Sequence, residues 1–123
     1  MKPEAQRIAI AKYLGWRESQ RHESGADNKS YITLGWTDKY GAFHKFTPDY
    51  LNDLNACMDM QNSLSHEKRE DYALELCSVC AEDFGLNEAK LTVTDDMIII
   101  AYATAAQRAE AFLRTMGLWR DDA

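Results

Sequence analysis

The residues of this chain best able to do chemistry are its three cysteines, its three histidines and a few closely spaced acids. Cys77-Ser78-Val79-Cys80 has the spacing of a redox pair or half a zinc site. Redox chemistry needs the first cysteine at a helix N-terminus, where the helix dipole lowers its pKa. The surrounding pattern puts this pair in mid-helix instead. A structural zinc site needs four ligands, and Cys57, Cys77 and Cys80 with one of His22, His44 or His66 meet that need only if the fold gathers distant segments. Buried core thiols are therefore expected, with no metal and no cofactor. An odd set of cysteines behind an N-terminus lacking any long apolar stretch also points to a reducing compartment and no export signal.

His66 and Glu70, at i and i+4, could hold a metal or exchange a proton, but at a charge-rich helix start they read as a solvated pair. Asp95-Asp96 could bind a hard cation, and equally suits a hairpin turn. Asp49, Asn52, Asp53 and Asn55 crowd one short stretch. They read either as amides buried against a neighbouring hairpin or as a polar recognition surface. Phosphate-binding glycine loops, nucleophile elbows and the paired histidines of metalloproteases are absent from the sequence. No catalytic residue is assigned, and the expectation is a protein that is not an enzyme.

Binding is the better-supported chemistry. The formal net charge is -6. Residues 1–60 are balanced, so the acidic excess lies in the second half, densest from Glu67 to Glu88. Such a field repels phosphate, which argues against direct nucleic-acid binding. Glu67, Glu70, Asp71 and Glu75 become candidates for contact with a basic protein partner, although solvating a helix is the plainer role for them. Trp36, Tyr40, Phe43, Phe46 and Tyr50 form an aromatic cluster, most of which a small domain needs in its core. Tyr40, in a turn, and Trp119, beyond the last helix stop, are candidate interface anchors.

These residues must be positioned by one domain, spanning all 123 residues. Hydrophobic residues at 46% give it a core, and no apolar run is long enough to cross a membrane. A helix is read over Pro3–Leu14, stopped by Gly15 and Trp16. Residues 17–30 are almost without apolar side chains and read as a polar loop. Ser30–Trp36 alternates as a strand and returns through Ala42–Phe46 as a hairpin. Thr47-Pro48-Asp49 reads as a helix start with Tyr50, Leu51, Leu54, Cys57 and Met58 as its buried stripe. Ser65 caps a helix over about 66–82, whose inner positions are Tyr72, Ala73, Leu76, Val79 and Cys80. Leu91–Thr94 and Met97–Ala101 read as two further strands. Thr104 and Gln107 form a capping box for a last helix, with Ala105, Ala109, Phe112, Leu113 and Met116 inward and a stop at Gly117-Leu118. The expected fold class is α+β, in the order α-β-β-α-α-β-β-α, with a small, mainly antiparallel sheet packed by helices. The first and last helices share Ala-Gln-Arg near their starts and glycine before tryptophan at their ends, from an internal duplication or from common helix grammar.

Three stretches carry a resemblance. They are Pro3–Ala11 with Leu14-Gly15-Trp16, then Pro48–Ala56, then Ala103–Arg114 with Gly117-Leu118-Trp119. Together they resemble small tailed-phage and prophage proteins described as a phage alpha-beta-alpha sandwich domain, across most of the chain and in order. The sequence departs from that pattern at 17–45 and 77–96. The resemblance implies a phage origin, a layered fold and residence in the host bacterial cytoplasm. The group carries no established activity, so no site residue is carried over. The resulting expectation is a phage accessory protein that binds a host or phage protein, specifically to inhibit a bacterial defence system such as a CRISPR effector. A nucleotide or other small-ligand protein, built from the 17–30 loop, Asn52, Asn55 and Arg108, is the first alternative. A replication or packaging accessory is the second. Oligomeric state is left open by the sequence.

Overall fold

The computed structural model describes residues 1–83 and 100–122. Among them the order is α1 (Pro3–Tyr13), β1 (Arg17–Ser24), β2 (Ser30–Thr37), β3 (Phe43–His44), α2 (Leu54–Asn62), α3 (His66–Asp83) and α4 (Ala105–Thr115). The strands form one antiparallel sheet in the order β1-β2-β3. The mixed helix-and-sheet class expected from the sequence is thus present.

Local signals place the helix ends. Pro3 opens α1, where a missing N–H costs nothing. Its stop is a Schellman motif: Gly15 takes φ +95°, its N–H bonds the Lys12 carbonyl, and the Trp16 N–H reaches Ala11 at 2.9 Å. The end of α4 repeats this, with Gly117 at φ +71° and the Leu118 N–H on the Leu113 carbonyl at 2.8 Å. The starts of the two helices differ. Lys2 offers α1 no side-chain cap, whereas Thr104 and Gln107 make the reciprocal capping box of α4. Their shared stop follows from common local physics. The Lys68 N–H donates to Ser65 Oγ at the start of α3, as the sequence predicts.

Among the described residues the core is mostly helical. α4 packs chiefly on α3 and also on α1 and α2. Ala105, Ala109, Phe112 and Leu113 of α4 meet Ile10 and Ala11 of α1, Cys57 and Met60 of α2, and Leu76, Val79 and Cys80 of α3. The small alanines let helices approach closely, and Phe112, with no exposure, fills the centre. Burying each large side chain contributes about 1.5–3 kcal/mol. A polar tie reinforces this packing: Arg108 donates to Gln61 Oε1 at 2.9 Å and to the carbonyls of Ile100 and Ala103. The Tyr72 hydroxyl donates to the same Gln61 oxygen at 2.7 Å.

Three expectations are corrected. Residues 17–24 of the expected loop are a strand in full register with β2, Arg17 opposite Thr37 and Ser24 opposite Ser30. Its sequence shows no apolar alternation because no residue of β1 is fully buried. The joining turn carries Asn28 at φ 58°, a left-handed position that Asn tolerates, with the Gly25 N–H on the Lys29 carbonyl at 2.9 Å. Second, α2 starts at Leu54 rather than Thr47, and the Asp53 carboxylate caps it by accepting from the Asn55 N–H at 2.9 Å. Tyr50 and Leu51 are buried from a turn, while Leu54 and Met58 point outward at 55% and 52% exposure. A helix shifted by this much turns a different stripe inward, here Ala56, Cys57 and Met60. Third, the strand read over Met97–Ala101 meets helical backbone at 100–102. Its earlier residues, and the whole of Leu91–Thr94, lie outside the described residues.

Candidate protein-binding surface

The acidic candidates fall on one stripe of α3, because residues three and four apart share a helix face. Glu67, Glu70 and Asp71 are exposed and Glu75 is half-buried. Among them stands Leu74, 71% exposed. The opposite side of the helix carries Tyr72, Leu76, Val79 and Cys80 into the core. α3 therefore presents an exposed apolar side chain next to a stripe of carboxylates, on a backbone whose other face is buried in the core. The inner positions read from the sequence leave Leu74 out, but nothing in the sequence singled it out as a surface anchor, because a lone outward leucine is ordinary on a helix.

The other two candidates lie elsewhere. Tyr40 is 84% exposed in the β2–β3 turn, with Lys39 Nζ at 5.1 Å from its ring centre. It stands beside a cleft of about 410 Å³ that Trp16, Tyr50, Asp38, Lys39 and Asp59 also line. Asp38 organises the turn. Its carboxylate accepts from the Tyr40 and Ala42 N–H groups, each at 2.9 Å, and contacts the His44 ring at 2.9 Å. The His44 bond, followed by the Ala42 amide, holds the Asp38 carboxyl below the usual carboxylate range. Trp119 is half-buried against the core, its indole N–H on Asp121 at 3.0 Å and Arg114 stacked at 4.8 Å. It serves packing first.

The residues considered for other chemistry are dispersed. Cys57 and Cys80 are buried and Cys77 half-buried. Burial pushes the Cys57 and Cys80 thiols up to about 11, the opposite of what a nucleophilic or metal-binding thiolate requires. The Cys57 thiol donates to the Tyr50 carbonyl at 2.9 Å. Among the described residues no group of histidine, cysteine and acids is placed to hold a metal ion. His66 and Glu70 are both exposed and share no ion pair. Asp95 and Asp96 lie outside the described residues.

Asn52 and Asn55 are exposed rather than buried against the hairpin. The Asn52 amide donates to the Asp49 carboxylate at 3.1 Å, and Asn55 contributes its backbone N–H to the α2 cap. Short polar side chains here serve the turn and the helix start. Arg108 bonds Gln61 at the far end of α2, so the residues expected to converge on a small ligand are not gathered in one pocket.

A second surface is the β1–β2 hairpin, half of which the sequence reads as a polar loop. Among the described residues only its base is paired further: β3 pairs with β2 at Trp36 and Thr37 alone. Beyond that the ribbon overhangs, with Ile32 57% and Leu34 76% exposed on one face. Among the described residues, no helix is long and apolar enough to cross a membrane. In comparisons with known proteins the chain matches no family model, no curated protein and no solved structure.

Proposed function

We propose that this chain acts by binding another protein through the outward face of α3, and that its target presents a basic patch. The supporting observation is Leu74, 71% exposed next to the stripe of Glu67, Glu70, Asp71 and Glu75. An apolar anchor inside a polar rim is how protein interfaces concentrate their binding energy. The surrounding carboxylates would steer the encounter toward positive charge and away from nucleic acid. Taken with the phage resemblance, the target is a bacterial defence effector whose basic nucleic-acid channel the acidic helix occupies in the host cytoplasm. No residue of the chain acts catalytically in this reading.

The test is a comparison of the wild type with two variants, first as baits in lysate of phage-infected bacteria and then against the purified captured effector. Glu70→Lys, Asp71→Lys and Glu75→Lys combined should weaken binding on the order of 100-fold, because like charges opposed across an interface cost several kcal/mol. Leu74→Asp should weaken it as well without unfolding the helix, since exposed substitutions shift stability by only about 0.5 kcal/mol. Unchanged affinity in both variants, or a captured partner with no basic surface, overturns the proposal.

A further inference from the structure

Among the described residues nothing pairs with the outer edge of β1, and the sequence of that strand is self-complementary. β1 runs Arg17-Glu18-Ser19-Gln20-Arg21-His22-Glu23-Ser24 and pairs with β2 on one side only. The Gly25 N–H bonds the Lys29 carbonyl across the hairpin. Because alternate residues of a strand turn their N–H and C=O to the same neighbour, Arg17, Ser19, Arg21 and Glu23 bond inward to β2. Glu18, Gln20, His22 and Ser24 therefore present backbone donors and acceptors outward. Such an edge is a template for another strand. A two-stranded ribbon is marginal in water unless something pairs with it or covers it.

We infer that a second copy of this chain pairs antiparallel along β1, about a twofold axis at Gln20. In this register the outward-bonding residues meet one another: Glu18 faces His22 of the second copy, and Gln20 faces Gln20. On the other face Arg17 stands opposite Glu23 of the second copy, and Ser19 opposite Arg21. No like charges are opposed. The neighbouring in-phase registers set Arg21 against itself or Arg17 against Arg21, and cross-strand like charges are destabilising. Out-of-phase registers oppose inward-bonding with outward-bonding residues and form no ladder. In this register the charges of the edge match those of a second copy.

The same register accounts for the overhang. β1 residues share rows with β2: His22 lies beside Ile32 and Glu18 beside Trp36. Pairing then aligns Ile32, His22, Glu18 of the second copy and its Trp36 in one row. The overhanging tip of each hairpin, with its exposed Ile32, comes to lie beside the base of the other. The sheets join in the order β3-β2-β1-β1-β2-β3, which removes both β1 edges from solvent. Arg17, Glu18, Gln20 and His22 make no side-chain hydrogen bond or ion pair within the described residues, so each is available to its counterpart. This interface uses no residue of α3 and stands or falls separately from the docking of that helix.

Sedimentation equilibrium over a wide concentration range tests it with the full chain. The wild type should show a monomer–dimer equilibrium. Gln20→Pro removes an outward N–H at the twofold axis without touching the β1–β2 ladder and should raise the dissociation constant at least tenfold. Arg17→Glu, which opposes two glutamates at each end of the pairing, should do the same while leaving every backbone bond in place. Circular dichroism of both variants should match the wild type. A wild type that stays monomeric at the highest concentration overturns the inference, and so does a dimer that Arg17→Glu leaves intact.

Discussion

Leu113 in α4 has no solvent exposure, whereas Leu34 in β2 is 76% exposed. The same residue type stands in two regions built on different principles. In the helical body, inward stripes of four helices converge on Phe112, and Arg108, Gln61 and Tyr72 lock the polar rim. In the hairpin, backbone pairing and a cation–π contact of Arg21 over Phe43 at 4.9 Å provide order, and no residue of the sheet is fully buried. The body has what it needs to fold within one chain. The hairpin is a paired ribbon with unspent apolar and backbone surface, which is the condition of a segment that finishes its packing against something else.

The contrast can be broken from the body side. Phe112→Ala should cost about 3–5 kcal/mol, a large part of a domain's stability. Urea denaturation should show the midpoint falling while the transition remains cooperative; a loss below 1 kcal/mol would mean the core is not centred there. From the sheet side, Gly35→Ala should cost about 1–3 kcal/mol. A methyl group at residue 35 would run into the His44 carbonyl and the Phe43 ring, so β3 must move. The damage should stay local: amide hydrogen exchange should accelerate in β2 and β3 and hold steady in α3 and α4. Acceleration everywhere would show that the sheet and the body unfold as one unit.

The smallest expected effect is on pH. The Asp38 carboxyl is held below its usual range, first by His44 and then by the Ala42 amide. A carboxyl lowered on folding adds stability that is complete above its unfolded pKa and is lost as pH falls through its native value. The β2–β3 turn should therefore loosen on acidification, with the Tyr40 and Ala42 amide resonances moving together below the ordinary carboxylate range. Resonances that titrate at the value of an unpaired aspartate would show that the carboxylate does not hold the turn.

The sequence alone determined what depends on a few neighbouring residues. Gly15 and Gly117 mark helix stops because the left-handed turn there needs no side chain. Thr104 with Gln107, and Ser65, mark helix starts because their side chains bond amides within the same turn. The inner stripe of α3 was legible from Tyr72, Leu76, Val79 and Cys80 at helical spacing. The tertiary structure decided what depends on distant partners. Whether 17–24 pairs as a strand rests on β2 lying beside it, since β1 is built of polar residues with none fully buried and so shows no apolar period of two. Whether α2 begins at Thr47 or Leu54 rested on competing caps of similar local strength, settled by burying Tyr50 and Leu51 from a turn. Whether Leu34 is core or surface was settled by what surrounds β2, because burial belongs to a side chain's surroundings and not to its type.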